Sequence, residues 1–109
     1  MIFDLLTYID VQRAWSRTVF GDGKRAEGIC KHIEKELVEI RAEPESLEEW
    51  IDVIILALDG AWRAGYSEQE IAAAMLDKQL INMHRAWPKV TPEGEAIEHI
   101  RQPVERKDK

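Results

Sequence analysis

Pro44 separates two stretches of helical periodicity, and it constrains the fold more than any other residue. Before it, four apolar residues recur at spacings of 4, 4 and 3, as on the buried face of a helix: Ile29, Ile33, Leu37 and Ile40. The proline ends that helix, because the residue before a proline is pushed out of the helical region. Ser46-Leu47-Glu48-Glu49 then has the form of a capping box and starts another helix. The sequence therefore predicts two antiparallel helices joined by a short turn.

Helix signals account for most of the remaining chain. Gly65 is a natural residue to follow the end of the helix after Pro44. Ser67-Glu68-Gln69-Glu70 is a second capping box and opens a further helix, which Trp87-Pro88 closes. The predicted spans are about 4–19, 26–42, 46–64 and 67 to 84 or 85. Because no segment of useful length has strand periodicity, we expect an all-α protein, an antiparallel four-helix bundle with an irregular C-terminal tail.

Length and composition limit the classes to which the chain can belong. Its 109 residues fit one domain over 1–101, followed by a charged tail over 102–109, with at most one turn around 96–100. The charged content of 33% argues against a membrane protein, and the net charge of −6 disfavours nucleic acid as a partner. The lone Cys30 excludes an internal disulfide and is expected to be a small buried side chain. A cytoplasmic location is the default expectation.

Two aspartates interrupt the most apolar stretch of the chain, Trp50 to Asp59. A helix this apolar is expected to be buried on most sides, and a lone buried carboxylate is costly unless a cation compensates it. Asp52 therefore either reaches solvent or meets cations. Asp59 follows two turns later on the same face, where it either supports a metal site from behind or pairs with Arg63.

Four acidic residues form two pairs that flank the predicted turn. Glu36 and Glu39 share one helix face, and Glu49 and Asp52 share another, since residues three apart are neighbours on a helix. A tight turn between antiparallel helices brings the pairs face to face. Four converging carboxylates favour hard cations such as Mg²⁺. The alternative is that these acids form a solvated face, pair with neighbouring basic residues or favour a helix N-terminus.

A polar stripe occupies one face of the last predicted helix. Lys78, Asn82 and Arg85 are spaced by 4 and 3 residues, and together they would suit the phosphates of a metal-bound polyphosphate. Taken alone, the stripe is better explained as a solvated helix face with a cationic C-terminal end.

The spacing of these residues resembles the all-α nucleoside triphosphate pyrophosphohydrolase superfamily, which includes MazG proteins and dimeric dUTPases. Its hallmark is E-E-x-x-E followed by E-x-x-D, and the first acid of that motif is Lys35 here. The resemblance spans about 10–101 and looks closest to phage-type dATP/dGTP pyrophosphohydrolases of the MazZ type. The segments that carry it are AWSRTVFG (14–21), HIEKELVEI (32–40), EEWIDVIILALDGAWRAGYS (48–67) and KQLINMHRAWP (78–88).

The resemblance implies a MazG-like fold, a mechanism and a set of partners. Four acids would hold Mg²⁺, for which Mn²⁺ would substitute, and a metal-activated water would attack the α-phosphorus of a purine dNTP to release dNMP and pyrophosphate. The ligands so implied are Glu36, Glu39, Glu49 and Asp52, and the phosphate-binding residues are Lys78, Asn82 and Arg85. The resemblance also implies a homo-oligomer, either a dimer or a tetramer, located in the host cytoplasm if the chain is phage-encoded.

Two points stay open at the level of sequence. A dUTPase, a broad MazG-type house-cleaning enzyme and a non-catalytic helical interaction module remain alternatives. Gln12, Trp15 and Phe20 are candidates for contacts with the nucleobase, because the first helix is the element left to cover the site.

Overall fold

A computed structural model describes residues 2–89, 94 and 96–100 of the chain. It contains four helices and, within those residues, no strand, which confirms the predicted all-α class. The helices are α1 (Leu5–Phe20), α2 (Ala26–Ala42), α3 (Leu47–Arg63) and α4 (Glu68–Met83). The chain divides into two compact units, Met1–Ala73 and Ala74–Lys109. The predicted single domain over 1–101 stays a prediction.

Helices α2 and α3 form the hairpin that the proline predicts. Trp50 fixes the turn, because its indole Nε1 donates a hydrogen bond to the carbonyl oxygen of Pro44 at 2.9 Å. Further along, the two helices approach closely at Gly60, where an added Cβ would lie 3.9 Å from the side chain of Ile29. The α2–α3 contact is therefore the framework on which the acidic residues are carried.

The two predicted capping boxes have different outcomes. At the start of α4, the backbone N–H of Ser67 donates to Glu70 and the backbone N–H of Glu70 donates to the Ser67 hydroxyl, so that box is confirmed. At the start of α3, Ser46 is the N-cap residue as predicted, but its side chain makes no capping hydrogen bond, so the predicted capping box is not formed. Glu49 instead turns its carboxylate towards the acidic residues of α2 and α3.

The hydrophobic core of the first unit joins α1, α3 and the first turn of α4. It consists of Ile9, Leu58, Trp62 and Ile71, against which Leu5, Tyr8 and Ala61 pack. On α2 the predicted apolar stripe is only partly buried. Ile29 and Ile40 are buried, but Leu37 is 38% exposed, because the helix turns Glu36 inwards. Cys30 is exposed, so its predicted burial is wrong.

A buried polar network ties α3 to α1 and to the loop that follows α1. Arg63 is 7% exposed, and its guanidinium donates to Asp59 and to the Ser16 hydroxyl. It also donates to the carbonyl oxygens of Gly21 and Gly23, both at 2.8 Å. The two bonds to Gly21 and Gly23 link the loop to the buried guanidinium, so the network helps to hold the path of the loop.

In the second unit, the residues that follow α4 pair with the described segment 96–100 at one position. The backbone N–H of Ile100 donates to the carbonyl oxygen of Ala86, and the two residues form an isolated β-bridge. Residues 96–100 are not helical, so the turn predicted there is wrong. The charged tail predicted over 102–109 lies outside the described residues. None of the described helices is both long enough and apolar enough to cross a membrane.

Candidate active site

Three acidic side chains converge across the α2–α3 hairpin. Glu36 comes from α2, and Glu49 and Asp52 come from the first two turns of α3. One carboxylate oxygen from each lies within 4.8 Å of the others. Glu39, the fourth predicted ligand, is exposed and lies outside this group. The hairpin therefore brings three of the four predicted residues together.

Burial and mutual repulsion make this cluster electrostatically costly. Glu36 is 7% exposed although it carries a carboxylate. A hydrogen bond with Glu36 and partial burial raise the pKa of Glu49 to about 7. The nearby charges of Glu39, Glu36 and Asp52 act in the same direction. In the absence of a cation, Glu49 therefore keeps its proton to a higher pH than an isolated glutamate does.

The donor set fits a divalent metal ion. When the acids are ionised, neither Oε2 of Glu36 nor Oε2 of Glu49 has a hydrogen-bond partner among the described residues, although both atoms are buried. Converging carboxylate oxygens without donors are the ligands that Mg²⁺ and Mn²⁺ accept. The residues present are therefore suited to hold such ions, and His32 borders them, with its Nε2 3.6 Å from Glu36 Oε1.

A cavity of about 220 Å³ opens beside the acidic cluster. Glu36 and Asp52 of the α2–α3 hairpin line it, and so do the three residues of α1 proposed from the sequence for nucleobase contact: Gln12, Trp15 and Phe20. The ring of Phe20 packs edge-on against that of Trp15, with their centroids 6.0 Å apart. The cavity thus joins an acidic end to an aromatic wall.

Arg25 belongs to this wall, and sequence reasoning did not identify it. Its guanidinium lies over the ring of Phe20, 4.5 Å from the centroid, and it lines the same cavity. It precedes α2 and follows a glycine-containing loop, so no helical spacing links it to the acidic residues. The only signal for Arg25 in the sequence is that a basic residue directly follows a loop in an otherwise acidic chain.

Asp59 lines the cavity and also holds Arg63, so the predicted ion pair between them is present. Its other carboxylate oxygen accepts a hydrogen bond from the Ser16 hydroxyl at 2.6 Å. Both oxygens are therefore engaged within the protein, which distinguishes Asp59 from the three acids of the cluster.

The predicted phosphate-binding residues lie in the second unit. Lys78 is exposed on α4. Asn82 accepts a hydrogen bond from the Arg85 guanidinium at 3.3 Å, and that guanidinium also lies 3.5 Å from Nδ1 of His99. Lys78, Asn82 and Arg85 are thus close along one short segment, and their role in phosphate binding stays a prediction.

Comparison with known proteins identifies the family. The family model described as dATP/dGTP pyrophosphohydrolase matches residues 8–106. The chain belongs to the dATP/dGTP pyrophosphohydrolase family. The predicted resemblance is therefore confirmed, and so, at the level of the family, is the predicted class of nucleoside triphosphate pyrophosphohydrolases, which are hydrolases.

Two individual relatives agree with this membership. A solved structure of a cyanophage S-2L MazG-like pyrophosphohydrolase, bound to dGDP and three catalytic Mn²⁺ ions per active site, matches with a TM-score of 0.73 and 28% identity. That match covers 92% of this chain and 100% of the relative, and it confirms the predicted MazG-like fold. The Eaa protein of Salmonella phage P22 is 38% identical over 64 residues, which are 59% of this chain and 20% of that protein.

Proposed function

We propose that the chain is a Mg²⁺-dependent pyrophosphohydrolase that cleaves dATP or dGTP to the monophosphate and pyrophosphate. The observation that carries this proposal is the cluster of Glu36, Glu49 and Asp52, whose unpartnered oxygens border a cavity with an aromatic wall. The family match and the dGDP bound by the cyanophage relative favour a purine substrate.

The acidic cluster would bind the divalent ions. Glu36, Glu49 and Asp52 would be ligands, and Glu39 would join them at the exposed edge. When bound, the metal supplies positive charge to the triphosphate and lowers the pKa of a water. The relative's Mn²⁺ supports Mn²⁺ as a substitute for Mg²⁺.

The reaction transfers the nucleotidyl group of the substrate from pyrophosphate to water. The water oxygen forms a bond to the α-phosphorus, the bond from that phosphorus to the bridging oxygen breaks, and pyrophosphate leaves with the electron pair. A glutamate of the cluster accepts the proton that the water loses. Lys78, Asn82 and Arg85 are proposed to offset charge on the departing phosphates.

The aromatic wall is proposed to hold the nucleobase. Trp15 and Phe20 offer faces and edges against which a purine can pack, and the Arg25 guanidinium lies over one of them. If the triphosphate binds at the acidic cluster, the sugar and base of the nucleotide would extend through the cavity towards α1.

A homo-oligomer, either a dimer or a tetramer, is proposed as the working form. Several large apolar side chains are exposed on the hairpin, and their burial against a second copy would remove them from water: Val38, Leu47, Trp50 and Ile54. The predicted cytoplasmic location stays a prediction.

Turnover of single nucleotides tests the proposal. The purified protein is incubated with dATP, dGTP, dTTP, dCTP or dUTP, with Mg²⁺, with Mn²⁺ or with EDTA, and the products are resolved by chromatography. We expect metal-dependent formation of dAMP or dGMP together with pyrophosphate. Preferential formation of dUMP would assign the chain to the dUTPases, and comparable rates on all five would indicate a broad house-cleaning enzyme. No turnover on any triphosphate would favour a non-catalytic module.

A matched pair of variants tests the acidic cluster itself. Glu49→Ala removes a proposed ligand and should lower kcat at least about 100-fold. Glu48→Ala removes the adjacent, exposed acid and should leave kcat within about twofold, since surface changes away from a site have small effects. Equal losses in both variants, or none in Glu49→Ala with folding intact, would contradict the assignment.

A further inference from the structure

Gln12 carries a hydrogen-bond acceptor for which the protein provides no donor. The side chain lies on α1 and is 6% exposed. Its Nε2 donates to the backbone carbonyl oxygen of Ile55 at 2.7 Å. Its Oε1 is buried and has no hydrogen-bond partner among the residues that the structure describes. Buried amide oxygens are nearly always hydrogen-bonded, so this one lacks a partner that the donor of a ligand could supply.

The bond to Ile55 determines which atom of the amide is left over. If the amide were turned by 180°, its oxygen would face the carbonyl oxygen of Ile55, and two acceptors would oppose each other at 2.7 Å. The orientation with Nε2 on Ile55 is therefore the stable one. The amide is held in advance, with its acceptor turned away from the carbonyl oxygen of Ile55.

The unpartnered oxygen belongs to a residue of the cavity wall. Gln12 lines the same cavity as Trp15 and Phe20, and as Glu36 and Asp52 of the acidic cluster. A nucleotide whose phosphates occupy the acidic end would bring its base towards α1. The atoms of a base that satisfy an acceptor are its N–H groups.

We propose that Gln12 Oε1 accepts a hydrogen bond from the exocyclic amino group on the Watson–Crick edge of the substrate base, and thereby selects among purines. This inference rests on the proposed function. In adenine this is the 6-amino group, and in guanine it is the 2-amino group. A purine without such a group leaves the buried oxygen unpaired, and sites of this kind discriminate strongly against analogues that lack the donor.

Two pairs of substrates, each differing only in one amino group of the base, test this hydrogen bond. The first pair is dATP and the triphosphate of 2′-deoxyribosylpurine, which lacks the 6-amino group. The second pair is dGTP and dITP, which lacks the 2-amino group. For the wild-type protein we expect kcat/KM to fall at least about tenfold within one pair or both, since a lost hydrogen bond leaves a buried acceptor unsatisfied.

The variant Gln12→Met tests whether Gln12 causes that difference in kcat/KM. Methionine has a similar length and volume but no acceptor oxygen, so the difference within the affected pair should shrink to about twofold or less. Gln12→Asn keeps an amide but withdraws it by one methylene, and should shrink the difference as well. Gln69→Met makes the same chemical change at an exposed glutamine on α4 and should preserve the wild-type difference.

The outcomes separate this inference from the proposed function. Suppose that the wild type hydrolyses purine dNTPs and that Gln12→Met keeps the wild-type thermal midpoint. If Gln12→Met then also keeps the wild-type difference in kcat/KM, another group binds the amine and the inference is overturned. The inference is also overturned if kcat/KM is the same for both members of each substrate pair. If no triphosphate is hydrolysed, calorimetry of dAMP against 2′-deoxyribosylpurine monophosphate with Mn²⁺ decides. If the wild type prefers dAMP and Gln12→Met loses that preference, the inference is supported but the proposed function is not. If neither nucleotide binds, the inference and the proposed function are both overturned.

Discussion

At the scale of single residues, the acidic cluster is built against the usual preference of carboxylates for water. Glu36 is buried on α2, and Glu49 and Asp52 face it from α3. Such an arrangement lowers the stability of the protein without metal, because like charges repel and buried oxygens lack donors. Functional sites commonly carry this kind of cost.

The raised pKa of Glu49 predicts how the stability of the metal-free protein depends on pH. The pKa is about 7 in the folded state, against 4.5 for an ordinary glutamate, so between these values the folded state binds more protons than the unfolded state. Stability should therefore fall as pH rises from about 4.5 to about 7. Thermal midpoints in EDTA across this range would measure it.

Glu49→Gln provides the comparison for that pH series. The glutamine stays neutral, so the decline in midpoint should be smaller than in the wild type, while Glu48→Gln should keep the wild-type slope. A decline of the same size in all three proteins would show that Glu49 is not responsible.

At the scale of elements, the two helix starts look alike in sequence but differ in structure. Ser67 and Glu70 exchange hydrogen bonds, whereas the Ser46 side chain caps nothing. Ser67→Ala should therefore cost roughly 1 kcal/mol of unfolding free energy, a typical value for a lost N-cap. Ser46→Ala should cost at most a few tenths. Urea denaturation of the two variants measures the difference, and equal losses would contradict the structure.

The Arg63 network predicts a larger effect on α1 and its loop. Arg63→Met leaves the Asp59 charge buried without its partner, and breaking a buried pair in this way costs about 3 to 5 kcal/mol. The exposed Arg41→Met should be nearly neutral. Urea denaturation measures both.

A second variant keeps this test decisive if Arg63→Met does not fold. Asp59→Asn combined with Arg63→Met removes both charges and should recover part of the loss. If the double variant is no more stable than the single one, the ion pair is not the source of the effect.

At the scale of the whole molecule, the exposed apolar face of the hairpin predicts self-association. Leu47 is 71% exposed, Trp50 49% and Ile54 53%. Ile54→Lys should shift the protein towards the monomer in light scattering, because a buried lysine opposes apolar contact. Ile2→Lys changes a terminal residue that is 93% exposed and should not. A monomeric wild type would contradict the proposed oligomer.

Prediction from sequence succeeded where the determining interactions are local. The helices were predicted to within a few residues because periodicity, the break at Pro44 and the glycine at 65 act over one or two turns. Convergence of Glu36 with Glu49 and Asp52 also followed, since a short turn between antiparallel helices leaves few other arrangements. The exposure of Leu37 and Cys30 did not follow, because it depends on which face of α2 meets α3.

The sequence by itself determined the all-α class, the order of the helices, the family and the acidic residues of the hairpin. Only the tertiary structure decided that Ser46 caps nothing, that Arg25 joins the cavity wall, and that Gln12 is held with its oxygen unpaired. The physical reason is the distance along the chain over which each interaction acts. Helix formation is governed by neighbours within about four residues, whereas the surroundings of Gln12, Arg25 and Ser46 depend on how the helices pack. The partner of the Gln12 amide, Ile55, lies 43 positions away along the chain.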